Sequence, residues 1–174
     1  MTKAHRYRFG HLDPWWDESF KELDYEYYPL KNKVDEQMWI DQGYGGITLN
    51  GGLYNMSKPM PDYAQPFFKM WDWENVGIAF YKQSTLEALP LHFDKYNSYV
   101  KMFDIKDPSV IWRCIVFLED WRSGHYFEIG GSAHMNWRKG DYVCWNYDVP
   151  HYAGNFGLDP KYTMQITGMQ CERT

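Results

Sequence analysis

Two residues apart in the stretch LPLHFDKY stand an imidazole and a carboxylate, His92 and Asp94. On an extended strand, residues i and i+2 point to the same face, so this pair would present one nitrogen and one oxygen ligand side by side. Two ligands from one strand cover one edge of a metal ion, and a third must come from elsewhere. His151 in NYDVPHYAGNFG is the candidate, because it follows a strand-like run ending at a Pro-containing turn, where a side chain is aimed back into a barrel mouth. Two imidazoles and one carboxylate on one side of a metal leave three positions open, a donor set that suits Fe(II) with an oxidant and a co-substrate bound together.

The H-x-D pair is a weak signal by itself, and a second copy occurs at His11 and Asp13 in FGHLDPWW. Pro14 directly after that copy disfavours a central strand, and no complete ordered set follows it, so it reads as a turn with an Asp cap. Downstream of His151 the informative neighbours are Lys161, ten positions on, and Thr163 in KYTMQITGM. At alternate positions of an inward-facing strand, an ammonium and a hydroxyl form a receptor for a carboxylate.

The ordered set His92-x-Asp94, His151, Lys161 resembles that of the 2-oxoglutarate- and Fe(II)-dependent oxygenases built on a double-stranded β-helix, or jelly roll. Most members of that family carry Arg at the last position, often as R-x-S. Here Lys161-x-Thr163 departs from it, as in the prolyl 4-hydroxylase branch. The resemblance covers about residues 75 to 170, and the first 70 residues carry no part of it. It implies Fe(II), 2-oxoglutarate and O2 as cofactor and co-substrates. It also implies hydroxylation of a small molecule or a peptidyl side chain, with release of succinate and CO2. Its catalytic metal ligands would be His92, Asp94 and His151, and Lys161 with Thr163 would bind the co-substrate.

Other side chains enter as candidates. Arg113 in the apolar run VIWRCIVF requires a partner or a cavity. It stands beside Lys161 as a second possible carboxylate anchor, or as half of a structural ion pair. Tyr81 and Tyr99 carry phenols able to hydrogen-bond a carboxylate, Tyr81 toward the co-substrate and Tyr99 in a substrate pocket. Trp145 and Asn146 lie on the approach to His151 as pocket lining. His125 and Glu128, with His134 nearby, suggest another metal set, but three residues apart on a strand they face opposite ways. His125 is therefore read as a substrate-facing or packing residue.

Elements must place these groups. DESFKELDYEYY predicts a short helix after Asp17, stopped by Pro29, and KVDEQMWIDQGYGG predicts a second, ended by Gly43 or Gly45-Gly46. ITLNGGLYN reads as a strand, a turn at Asn50-Gly51 and a return. KPMPDYAQPFF reads as a loop, with a short aromatic helix from Lys69 to Trp73. From Asn75 onward VGIAFYKQ, PLHFDKYN, VIWRCIVFLED, HYFEIGG, AHMNWRKG, DYVCWNY and KYTMQITGM read as strands. The expectation is a mainly β chain with a few N-terminal helices, a double-stranded β-helix of the jelly-roll or cupin-like type. Residues 1–174 would form one domain, with 1–74 as lead-in and 75–170 as the metal-bearing core.

The bulk numbers exclude more than they select. Aromatic residues make up 20% of the 174, which suits pleated sheets and pocket walls. A net charge of −5 gives no support to bulk nucleic-acid binding. No G-x-G-x-x-G with a βαβ rhythm is present. No apolar run reaches signal-peptide or membrane-spanning length, so the expectation is a cytoplasmic protein with no membrane partner. Cys114, Cys144 and Cys171 lack a C-x-x-C pair, and the first two read as buried small hydrophobes. Two other classes stay open. PHYAGN resembles part of the second cupin motif, which suggests a metal dioxygenase or isomerase, although the first cupin motif is missing. A non-catalytic jelly-roll binder of a small ligand is the third reading. Oligomeric state is open.

Overall fold

The computed structural model describes residues 7–28 and 33–170. Its twelve strands are β1 (Tyr7–His11), β2 (Glu26–Tyr27), β3 (Thr48–Leu49), β4 (Gly52–Asn55), β5 (Glu74–Gln83), β6 (Glu87–His92), β7 (Ile111–Phe117), β8 (His125–Ile129), β9 (Ser132–His134), β10 (Asp141–Asn146), β11 (His151–Asn155) and β12 (Lys161–Met169). Among the described residues there are two α-helices, α1 (Lys33–Asp41) and α2 (Asn97–Met102). The strands form a seven-stranded sheet in the order β1-β10-β7-β12-β5-β4-β2 and a five-stranded sheet in the order β3-β6-β11-β8-β9. The pairings are antiparallel except β3 with β6. The chain is thus mainly β, with few helices and two sheets.

The sequence makes the large sheet two-sided. In β12 the residues Tyr162, Met164 and Ile166 alternate with Lys161, Thr163, Gln165 and Thr167, and β7 alternates Trp112, Cys114 and Val116 with Arg113, Ile115 and Phe117. The first set of each strand packs under residues from the N-terminal part of the chain, among them Trp16, Phe20, Ala64 and Phe67. The second set faces the small sheet. There Ile115, Phe117, Val143 and Trp145 meet Phe127 and Ile129 in a second apolar cluster. Hydrogen bonds also cross the gap, from Gln83 to the Ala153 carbonyl (3.2 Å) and from Asn155 to the Gln83 carbonyl (2.9 Å).

Several predicted elements differ. After Asp17 there is only a 3-10 turn, Glu18–Glu22, with Asp17 accepting from the Ser19 amide, and the chain then extends into β2. Phe20 is fully buried and Tyr25 bonds back to the Phe20 carbonyl at 2.8 Å, so tertiary burial stops the helix before Pro29, which lies outside the described residues. The second helix matches α1, and the chain leaves it through Gly43 at φ +102°. The piece read as a loop contains a 3-10 helix, Asp62–Phe68, and Lys69 to Trp73 is turn rather than helix. Pro61 and Pro66 lack the amides a longer α-helix would use, whereas a short 3-10 turn tolerates them. AHMNWRKG is a strand only as far as His134, while HYAGN, not expected as a strand, forms β11.

Replacing Phe20 by Ala should lower the free energy of unfolding by about 3–5 kcal/mol, since the ring fills a closed site against Tyr162. Urea denaturation checks this, and a loss under about 1 kcal/mol would mean that the N-terminal layer is only draped on the sheet.

Candidate metal centre

β6 and β11 run side by side and antiparallel, and His92 stands directly opposite His151 in their register. The register shifts between His151 and Ala153, and such an irregularity re-aims the side chains that flank it. The two imidazole rings lie 4.2 Å apart between centroids. Each ring is tethered through Nδ1, that of His92 to the Pro90 carbonyl at 2.7 Å and that of His151 to the Val149 carbonyl at 3.0 Å. A carbonyl accepts and so requires the proton on Nδ1, which leaves both Nε2 lone pairs directed at the same place.

That place is occupied on one side by Asp94. The strand predicted through PLHFDKYN ends at His92, level with His151, the first residue of β11. Asp94 therefore sits in extended chain after the strand, and Tyr96, at φ +47°, turns the chain into α2. Alternation persists without the ladder: Phe93 is exposed while His92 and Asp94 turn inward. The Asp94 carboxylate lies 3.8 Å from His92 Nε2 and 3.4 Å from His151 Nε2. One ligand atom from each of the three lies within 4.8 Å of the others, the one such group among the described residues.

Asp94 has a further partner that explains Arg113. The Arg113 Nη1 donates to Asp94 Oδ2, its Nε lies 3.4 Å from Thr167 Oγ1, and its guanidinium lies 4.7 Å from the Tyr96 ring centre. Burial alone would push the Asp94 carboxyl upward, but Arg113 and then the two imidazoles outweigh it and hold it below the ordinary aspartate value. Burial lowers His92, and it lowers His151 to about 4 despite the pull of Asp94. The three groups thus stand as one carboxylate and two neutral imidazoles, the protonation states that a divalent metal requires. Two imidazoles and one carboxylate are a donor set able to hold a divalent metal ion.

The remaining predicted residues are dispersed around this centre. Trp145 packs against His151 at 4.9 Å between rings and stands opposite Arg113 in the register. Asn146 turns to the other face, opposite Trp112. Tyr81, partly buried on β5, pairs with Thr163. Burial is the main force raising its phenol, with smaller effects from Arg113 and Asp94 that place it near that ion pair. Tyr99 donates to the Asn75 carbonyl at 2.8 Å, which commits its hydroxyl. His125 lies at the far end of β11 from His151, opposite Asn155, with Nε2 on the Asp159 carbonyl at 2.9 Å and its ring stacked on Trp137. Sequence reasoning missed Tyr96 and Thr167. Thr167 had a visible signal, since it continues the Lys161, Thr163 alternation.

Lys161 is buried at the other end of the interior. Its Nζ donates to the carbonyl of Tyr126 (2.7 Å), to Gln83 Oε1 (3.1 Å) and to the carbonyl of Gly154 (3.4 Å). All three acceptors are neutral, and burial lowers the amine to about 7.

No protein-family model and no curated protein matches this chain. Solved structures do match it in shape. A prolyl-4-hydroxylase from Pseudomonas putida aligns over 96% of this chain and 94% of its own, at 10% identity and a TM-score of 0.56. A predicted oxalate decarboxylase from Thermotoga maritima aligns over 68% of this chain and 80% of its own, at 11% identity and a TM-score of 0.44. KdgF from Halomonas sp. aligns over 70% and 80%, at 9% identity and a TM-score of 0.42. The first of these shows a shared fold. Among the described residues no helix is long and apolar enough to cross a membrane.

Two outcomes are expected at this site. Replacing His92 or Asp94 by Ala should weaken Co(II) binding by more than about 100-fold, beyond what loss of a supporting hydrogen bond does. In the metal-free protein, an unfolded histidine titrates at about 6.5 while folded His151 titrates at about 4, so between these values the unfolded chain binds more protons. Stability should therefore fall as pH drops through that window, and the fall should shrink in His151→Gln. Urea midpoints across that range check it, and an unchanged slope in the variant would sink the assignment.

Proposed function

We propose that the protein is an Fe(II)- and 2-oxoglutarate-dependent oxygenase that hydroxylates a small organic substrate. The observation that carries the reading is the convergence of His92 Nε2, His151 Nε2 and the Asp94 carboxylate around one point, with a buried lysine further along the same interior. The fold shared with a prolyl-4-hydroxylase agrees with it.

In this reading each residue has a defined task. His92 and His151 hold the metal through Nε2, oriented by the Pro90 and Val149 carbonyls. Arg113 fixes the Asp94 carboxylate and keeps it ionised. Lys161 takes the distal carboxylate of 2-oxoglutarate in place of one or more neutral carbonyls, an exchange that charge assistance favours. Gly154, whose carbonyl accepts from Lys161, is three residues from His151 on β11, so the lysine and the metal ligands border the same interior. Phe127, Trp137 and Trp145 keep the neighbouring interior apolar and limit water. When bound, Fe(II) with 2-oxoglutarate supplies the oxidative decarboxylation that puts one atom of O2 into succinate and the other into the hydroxylated product, releasing CO2.

Anaerobic addition of Fe(II) and 2-oxoglutarate should produce the visible charge-transfer absorption of a chelated 2-oxo acid, absent in His92→Ala. Lys161→Met should weaken 2-oxoglutarate binding by at least about tenfold and leave Co(II) binding intact, because it removes the ammonium and keeps the volume. A protein that binds Co(II) yet shows no such absorption would instead fit a cupin-type metal enzyme. One that binds neither would fit a non-catalytic binder.

A further inference from the structure

The interior face of the large sheet continues past the point where the small sheet stops at His92. There a cavity of about 510 Å3 opens, with Arg113, Gln165 and Thr167 on one side and Asn55, Tyr96 and Tyr99 on others. Met56 adds apolar surface, with Gly77 and Ala79 of β5 behind it. The cavity begins one side chain from the metal centre, since Arg113 bonds Asp94. Its size lies in the range of small-molecule sites.

Its chemistry is one-sided. Arg113 is the sole charged residue of the lining, which contains no carboxylate, lysine or histidine. Nη1 is committed to Asp94 and Nε to Thr167, so Nη2 has no protein acceptor among the described residues. The Tyr96 hydroxyl lies buried beside the Asp94 carboxylate, so Nη2 is the donor left open to the cavity. Leaving such a donor unpaired is costly, and a ligand oxygen would relieve it. A cationic ligand has only Asp94 to meet, already held by Arg113 and set against both imidazoles.

We propose that this cavity binds the primary substrate as an organic carboxylate, held by Arg113 Nη2, with its carbon frame against Tyr99 and Met56. That the bound acid is the molecule hydroxylated rests on the oxygenase reading, with O2 and 2-oxoglutarate as co-reactants. The recognition of an acid rests on the cavity alone.

The test uses the full chain, loaded with Zn(II) and saturated with 2-oxoglutarate so that the metal and Lys161 are engaged. Benzoate, neutral benzamide and cationic benzylamine are titrated by calorimetry or ligand-observed NMR. Benzoate should bind at least about tenfold more tightly than either of the others. Gln165→Glu sets a carboxylate beside the guanidinium and should weaken benzoate about tenfold or more while changing benzamide little. Ser98→Asp, at an exposed rim position that a fold tolerates, should act in the same direction. Equal affinity for the three probes would overturn the proposal. So would no benzoate binding at millimolar concentration, or a benzoate site lost in Lys161→Met but kept in Gln165→Glu. The charge-transfer absorption separates the two readings. Absorption without selective benzoate binding defeats this proposal alone. Selective benzoate binding without absorption defeats the oxygenase and leaves an acid-binding site.

Discussion

The pair formed by Arg113 and Asp94 is the constraint around which the interior is arranged. Two opposite charges taken out of water lose more hydration than their mutual attraction restores unless further groups satisfy them. Here the further groups are present. Thr167 lies against the guanidinium Nε, the Tyr96 ring lies along its face, and the two imidazoles approach the carboxylate. Each comes from a different element: β12, the turn into α2, β6 and β11. One ion pair thus fixes where both sheets and the crossover meet, and the same arrangement keeps a carboxylate ionised beside two uncharged imidazoles.

From that pair the interior divides along the large sheet. Toward β10 and β7 it is closed by stacked rings, with Phe117 and Trp137 only 4.0 Å apart between centroids. Along β12 it is polar at every second residue, from Lys161 through Thr163 and Gln165 to Thr167. A β-strand interior that carries four polar groups in a row gives up hydrophobic burial that four aliphatic residues would supply, on the order of several kcal/mol. Such a stripe is the wall of a site more readily than the wall of a core, and its two ends meet different chemistry: neutral carbonyls at Lys161, an ion pair at Thr167.

How far this was legible in the sequence depends on the range of the interaction. The grouping of His92, Asp94 and His151 was readable because H-x-D is a local pattern on a strand and period-two alternation carries over from sequence to face. Asp94 shows the limit: it faces inward as the alternation requires, although the strand itself ends at His92, level with the first residue of β11. That level is set against a residue 59 positions away, His151 opposite His92, and no window of sequence contains it. The N-terminal part of the chain, up to about residue 70, was read least well for the same reason. Its Phe20 and Phe67 turn inward to cover β12 and β5, and that demand overrides helix propensity after Asp17. Arg113 was recognisable as a charge in need of a partner, but the identity of the partner was a fact of the fold.

Charge accounting ties the two ends of the polar stripe together. Without ligands, Asp94 and Arg113 cancel, the imidazoles are neutral, and Lys161 is driven toward its uncharged form by burial. A divalent metal alone would add two positive charges beside Arg113, and a dicarboxylate alone would bring two negative charges to a site with one reluctant ammonium. Together they would add no net charge, since on the oxygenase reading the metal would meet one end of the diacid and Lys161 the other. On the oxygenase reading, metal and diacid therefore favour one another by the same free energy in either order of binding, since coupling between sites is reciprocal. The depressed amine sharpens the effect, because a carboxylate arriving at Lys161 restores the proton that burial removes. On that reading the buried lysine, which costs the empty protein stability, would make the pair of ligands bind as a unit.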